Sequence, residues 1–378
     1  MPIPASLRAL LRTTPTVAPI ANRTVLAVSG SDATQFLNGL LATTVQGRQC
    51  YGVFLHAQGR VIHDVFLYTP APQTTPTYLI EYDGSPCESQ PLLNILKRYV
   101  LRSKVRIRDV TQEWDIWAAW GTDPSSIATQ GNEQREWEWA RSGAVEPVWR
   151  NSTQWPWGTE PGVILDRRAP GMGRRIVIPK GDKPCETSTH DMLGSDAYLL
   201  HRILHGVPEG TVDIPPLHAF PIESNLDAMG GLDFRKGCYV GQELTVRTYH
   251  TGVVRKRILP VALSSTSSSV QVPLPNLSIK PSIIMPPSMD SDPGQSSIRI
   301  PRLRGTSTLL TSMLTPSLGP GRAVGLALLR LDHLRPSVEL FAVDASPETA
   351  PEQNGEQWKV EHLWPDWWPE RPPEATEE

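Results

Sequence analysis

Residues 263–320 are so rich in Ser, Pro and Thr, and so poor in acids, that the stretch cannot bury enough apolar surface to fold by itself. Its few apolar clusters lie at 283–285 and 309–310. One strand-like stretch, 253–261, precedes the run and another, 323–330, follows it. The run therefore predicts an insertion or loop that interrupts a sheet, and any fold must bring the two flanking strands together across it. Proline carries much of the bias: 37 of 378 residues is about 10%, roughly double ordinary usage.

The length exceeds what one hydrophobic core usually supports and implies two or three domains. With 39% hydrophobic residues the chain is not disordered throughout. Lys and Arg number 36 against 39 Asp and Glu, a formal charge of -3. That balance is too even for the whole molecule to attract nucleic acid or anionic lipid, so neither a nucleic-acid nor a membrane partner is expected, although a local basic patch is compatible with it. No run approaches the ~18 apolar residues of a membrane span. Cys50, Cys87, Cys185 and Cys238 lie far apart without a CxxC pair, which points to a reducing compartment rather than a disulfide framework. Residues 1–31 contain no acid but carry Arg8, Arg12 and Arg23, with Leu7, Leu10 and Leu11 on one helical face. The trailing part of a mitochondrial leader and a Pro-rich terminal arm both fit that pattern.

Tryptophan is segregated: eight of 12 lie at 114–157 and four at 358–368. The first group reads as strands with an aromatic core. Upstream, 24–28 is a β-branched strand, and Ser31 can cap a helix bearing Phe36, Leu37, Leu40 and Leu41. Stretches 53–56 and 61–68 flank Gln58-Gly59 as a hairpin, 78–82 is a strand, and 92–101 is a helix expected to bury Leu92, Leu96, Tyr99 and Val100. Residues 104–110 alternate as an edge strand. A further helix spans 196–205, with Ser195 as cap and Gly206 as stop. Helices and strands mixed without βαβ order indicate an α+β protein.

Chemistry concentrates in residues 230–243, which hold four glycines, Cys238, Arg235, Lys236 and the pair Gln242-Glu243. Gly237 and Gly241 free the backbone beside the thiol, and the two cations favour thiolate, the species that binds soft metals. A small buried cysteine in a tight turn fits the same residues.

The run Lys236-Gly237-Cys238-Tyr239-Val240-Gly241-Gln242-Glu243 resembles the signature of the folate-binding-like proteins of iron-sulfur cluster assembly, a branch of the glycine-cleavage T-protein (aminomethyltransferase) superfamily. Stretches 29–33, 36–40, 58–60, 208–210 and 220–223 support the resemblance, which runs over about 24–260 and resumes in the last sixty residues. The Pro-rich insert and the ending at 364–369 resemble the fungal mitochondrial form. The family implies an α+β three-domain ring: a terminal arm or leader remnant at 1–23, one α+β domain from 24–50 and 113–222, a second interleaved α+β domain from 51–112 and 223–255, and a C-terminal antiparallel β-barrel from 256–378 carrying the insertion at 263–320. It implies maturation of [4Fe-4S] proteins in the mitochondrial matrix by a non-enzymatic assembly factor, monomeric alone, whose partners are A-type carrier proteins. Cys238 would be the metal ligand of a transient iron-sulfur cluster shared with the carrier, with Lys236, Gly237, Tyr239, Gly241, Gln242 and Glu243 shaping the motif.

Asp64 and Glu223 are the candidate residues of a tetrahydrofolate pocket. The transferases of the superfamily carry tandem acids after the glycine hairpin where this chain has His63-Asp64, and Asn-Asp where it has Thr43-Thr44; both departures count against aminomethyl transfer. A plain interaction scaffold is the third class of reading. Smaller signals are His56 and His63 on one hairpin and His201 and His205 one helical turn apart, each without a third metal ligand. A basic cluster comprises Arg247, His250, Arg255, Lys256 and Arg257. Arg167, Arg168, Arg174 and Arg175 suit either folate glutamates or a solvated loop.

Overall fold

The computed structural model describes residues 3–70, 75–121, 135–149, 155–265, 272–273, 275–283, 303–343 and 357–370. The hairpin read from Gln58-Gly59 organises the first sheet. Cys50–Leu55 pairs antiparallel with Val61–Tyr68 around Gly59, whose φ of +77° is the left-handed conformation glycine tolerates. Thr77–Asp83, Arg23–Ser29 and Arg106–Asp109 complete five strands in that order, leaving Arg106–Asp109 at an edge. Helices Ala33–Leu40 and Leu92–Val100 bury Phe36, Leu37 and Leu40, and Leu92 and Leu96, against the common core. Tyr99, expected on the buried side, is 39% exposed. The helix ends one residue later, at Val100, which is partly buried against the core.

The second five-stranded sheet runs Val163–Leu165, Arg174–Pro179, Trp114–Trp120, Thr16–Pro19 and Asp191–Met192. The chain thus begins this sheet, builds the first one, and returns. Arg23–Ser29 hydrogen-bonds to Thr77–Asp83 and Arg106–Asp109. It therefore sits with the strands of 51–112, not with those of 113–222 as the expected grouping of 24–50 had it. The cross-strand partners of a β-branched strand are decided by tertiary pairing, on which its own pattern is silent.

The two sheets share one apolar core, but charged residues cross it. Arg175 from the second sheet donates to Glu81 of the first at 2.8 and 2.6 Å and to Glu209 at 3.0 and 3.1 Å. Arg168 holds Glu209 at 2.7 Å and Asp166 at 2.7 Å, and Tyr198 donates to Glu209 at 2.7 Å. Arg23 pairs with Glu81. Burial alone would raise the Glu209 carboxyl, but Arg175, Arg168, Arg23 and Arg202 pull it well below the usual carboxylate range.

Residues 256–362 close a six-stranded barrel in the order Lys256–Ser265, Arg322–Arg330, Ser307–Leu314, Ser278–Ile283, Val338–Val343 and Trp358–His362. The two strands flanking the Pro/Ser-rich run pair directly, Val261 opposite Gly325. The run itself is not only a loop, because Ser278–Ile283 and Ser307–Leu314 are barrel strands. Ile279 and Leu309 fill the interior while Ser, Thr, Lys and Pro occupy many of the neighbouring positions, so the stretch reads as polar although it supplies two walls of the core. The remainder of the expected insertion, residues 266–271, 274 and 284–302, lies outside the described residues. On the outer wall, Ile258, Val324 and Leu326 pack with Leu7, Ile203 and Leu204, joining the barrel to the N-terminal arm and helix Ser195–Leu204.

Candidate functional site

The cysteine segment is a loop tied at several points before it enters helix Gln242–Thr251. The Thr43 hydroxyl donates to Gly231 O at 2.7 Å, Thr44 to the Asp233 carboxylate, and Asp233 N–H to Ala42 O at 2.9 Å. Thr43 and Thr44 therefore moor the loop. Lys236 donates to the carbonyls of Asn38, Leu41 and Thr43 at 2.7, 2.7 and 3.1 Å, satisfying main-chain acceptors at the end of helix Ala33–Leu40. Its ammonium also lies 5.1 Å from the Tyr239 ring centre. Burial lowers the Lys236 pKa to about 8, against the pull of Asp233 and Cys50. Arg235 is paired with Glu138. Both cations are thus committed to other groups, and the geometry gives Lys236 an anchoring task in place of the expected charge partnership with sulfur.

Beyond the cysteine, Gln242 Oε1 accepts from Tyr239 N–H at 3.2 Å, and Val240 N–H donates to Gly39 O at 3.2 Å. Gly241 has φ +82°, and a Cβ there would meet His56 O at 2.4 Å and Leu55 Cβ at 2.7 Å. That contact seats the helix start on the glycine hairpin. Around Gly237, by contrast, a Cβ would meet nothing within 4 Å. Tyr239 is buried, whereas Gly237, Cys238 and Glu243 are exposed. A rigid frame therefore presents a small, open stretch of chain with the thiol in it.

The four cysteines separate cleanly. Cys50 is buried, and that burial pushes its thiol up to about 12. Cys87 is half-buried. Cys185 is exposed, but its hydrogen bond to Glu186 at 3.3 Å raises its pKa, disfavouring thiolate. Cys238 is exposed without an acid bonded to its sulfur among the described residues.

Asp64 and Glu223 have different surroundings. Asp64 is 2% exposed; its Oδ1 accepts from Gly210 N–H at 3.1 Å and its Oδ2 from the Tyr51 hydroxyl at 3.3 Å. Burial and the nearby Glu209 raise its pKa to about 6. Glu223 lines a cleft of about 210 Å³ with Phe220, Leu244, Thr245 and Val254, and burial raises its pKa against the pull of Lys256 and Arg60. The cleft is smaller than ordinary small-molecule sites of about 300–1,000 Å³, and Asp64 is not in its lining.

Other residues singled out by sequence take structural places. Arg168 and Arg175 are fully buried in the ion network, Arg167 donates to Pro156 O at 3.1 Å, and Arg174 stands 3.9 Å from Glu186, so the four neither solvate one loop nor face one ligand. Arg257 leaves the basic cluster to bind Asp227 at 2.6 and 2.8 Å inside the protein. His201 stacks on Trp120 with ring centres 4.6 Å apart, and His63 packs 4.9 Å from Tyr82 with its pKa lowered by burial to about 4. No group of three or more His, Cys, Asp or Glu side chains could hold a metal ion among the described residues. The buried network itself escaped sequence reading. Its signal was a charged residue inside each apolar strand, Glu81 within Thr77–Asp83 and Arg175 within Arg174–Pro179.

No protein-family model matches the chain. The mitochondrial iron-sulfur cluster assembly factor IBA57 homolog of Cryptococcus neoformans var. neoformans serotype D is 40% identical over 92% of this chain and 94% of its own length. The chain belongs to this family of mitochondrial iron-sulfur cluster assembly factors. The homolog of Aspergillus oryzae is 38% identical over 70% of this chain and 62% of its own length, and that of Aspergillus fumigatus 33% over 93% and 81%. The family is therefore the one that the Lys236–Glu243 run resembles, and it is mitochondrial. In fold the chain is similar to the glycine cleavage system aminomethyltransferase T from Bartonella henselae, with a TM-score of 0.58 over 95% of this chain and 87% of that one. At 14% identity that likeness establishes the aminomethyltransferase-like α+β architecture with its closed barrel, and nothing about chemistry.

Proposed function

We propose that this chain supports maturation of [4Fe-4S] proteins in the mitochondrial matrix by lending the Cys238 thiolate to a cluster that it shares with an A-type carrier protein. The cluster is cargo, built on the pair and passed on. The observation that carries this reading is the exposure of Cys238 within a loop fixed by Lys236, Thr43, Thr44 and Gln242. A cluster takes about four ligands, and no group of three or more His, Cys, Asp or Glu side chains could hold a metal ion among the described residues, so a partner protein supplies the rest. Gly237 leaves room for that partner, Gly241 and Gln242 set the loop's angle, the buried Tyr239 pins it, and Glu243 is open to the partner's surface. Ligation replaces the S–H proton with an Fe–S bond, so assembly releases a proton and weakens as pH falls.

The test mixes the chain with an A-type carrier, iron and sulfide and follows visible charge-transfer absorption. Cys238→Ser is expected to abolish the bridged-cluster bands while leaving the fold intact, and Cys185→Ser to leave them unchanged. Unaltered spectra in Cys238→Ser remove the thiol from the mechanism and leave an interaction scaffold.

A further inference from the structure

Six cations, Lys97, Arg98, Arg102, Lys104, Arg106 and Arg108, fall within twelve residues without an acid among them, in a chain whose formal charge is -3. All six are exposed. Arg98 is bound to Gln90, and Arg108 stands 3.6 Å from Glu113. Lys97, Arg102 and Arg106 have no carboxylate partner among the described residues. They lie on the end of helix Leu92–Val100, the following turn, and the edge strand Arg106–Asp109.

The turn is unusual. Ser103 N–H donates to Val100 O at 2.7 Å, and Leu101 has φ 43° and ψ -107°. Those angles are the first central position of a type II′ turn, a place for glycine. Here it holds a leucine that is 87% exposed, beside Tyr99 at 39%. The backbone is strained and the side chain is unburied, so the fold gains from neither. Charges on an edge strand protect it from pairing, which accounts for Arg106 and Arg108 but not for a protruding leucine in a strained turn.

From these observations we infer that this end of the first sheet docks on an anionic lipid surface, the cations meeting lipid phosphates and Leu101 and Tyr99 entering the boundary beneath them. An apolar side chain standing out on a stretch of chain dense in exposed cations suits an interface where phosphate and hydrocarbon lie within a few ångströms of each other. An acidic protein would satisfy the cations, but Leu101 would then need a matching pocket. No helix of the described residues is long and apolar enough to cross a membrane, so the contact is peripheral. The even charge of the whole chain does not oppose it, because attraction at a surface decays within about 10 Å.

The patch also has a fixed relation to the thiol. Lys104 N–H donates to Asp32 Oδ2 at 2.7 Å, just before helix Ala33–Leu40, and the other end of that helix holds Lys236 and Val240. Eight residues span roughly 12 Å. Lipid contact at one end therefore leaves the loop of Cys238 uncovered at the other.

Flotation of the full chain with phosphatidylcholine–cardiolipin vesicles, against phosphatidylcholine alone, tests the inference. Binding only to the anionic vesicles, released by high salt, is expected. Arg102→Glu with Arg106→Glu is expected to lower the partition at least ~10-fold, since each basic residue contributes about one factor of five at an anionic surface. Leu101→Gly is expected to lower it several-fold with an unchanged or higher melting temperature, which separates lipid insertion from misfolding. Absence of flotation, equal flotation with neutral vesicles, or full binding by either variant overturns the inference. Capture by a soluble polyglutamate peptide without vesicle binding reassigns the patch to a protein and overturns it equally.

Discussion

Asp64 and Glu209 adjoin one peptide unit, with Gly210 N–H donating to Asp64 Oδ1, yet burial leaves them with opposite titration. Glu209 is surrounded by guanidiniums and its carboxylate is favoured; its stabilising effect is present above the unfolded carboxyl range near 4.5 and is lost on acidification. Asp64 has less compensation, and its pKa rises from 3.8 to about 6. The folded state therefore binds that proton more tightly than the unfolded one, so the contribution of Asp64 is favourable at low pH and is lost as pH rises through about 6. Above neutrality its carboxylate costs about 1–3 kcal/mol. Asp64→Asn is expected to raise the melting temperature at mildly alkaline pH, with the advantage vanishing toward pH 4, as thermal melts across pH would record. A melting temperature that falls at every pH instead assigns Asp64 a required charge.

At the scale of elements, helix Ala33–Leu40 and helix Gln242–Thr251 each use one end to hold the cysteine loop. Lys236 closes the first helix from outside its own sequence, and Gly241 starts the second where a side chain would strike the hairpin. Gly241→Ala is expected to destabilise the protein by about 2–4 kcal/mol, combining a positive φ with a backbone clash. Gly237→Ala, a few residues away in open space, is expected to change stability by less than ~1 kcal/mol. Urea unfolding measures both, and equal losses would contradict the seating of the helix on the hairpin. The motif itself was legible because it is local. Its geometry was not, since the groups that hold it, Asn38, Leu41, Thr43 and Glu138, lie about a hundred residues or more away in the chain.

Over the whole molecule, the two five-stranded sheets share one apolar core crossed by ions, whereas the barrel has its own. Glu209→Gln removes the carboxylate that Arg168 and Arg175 share, and breaking one side of a buried ion network typically costs about 3–5 kcal/mol. The loss is expected in the sheets and not in the barrel interior. Hydrogen exchange would show faster exchange in Thr77–Asp83 and Arg174–Pro179 with Leu259 and Val261 protected as before; uniform loss of protection would mean that sheets and barrel unfold as one unit.

The α+β class, most strand and helix positions in the first 120 residues and the family were legible along the chain, because periodicity, turn residues and a contiguous motif are properties of neighbours in sequence. Tertiary structure alone decided that Arg23–Ser29 joins the first sheet, that a Pro/Ser-rich stretch supplies two barrel strands, that Arg168 and Arg175 are interior, and that Asp64 and Glu223 face different surroundings. Each depends on which distant groups remove water from a side chain or return a charge to it, and that is set by packing across the fold rather than by order along it.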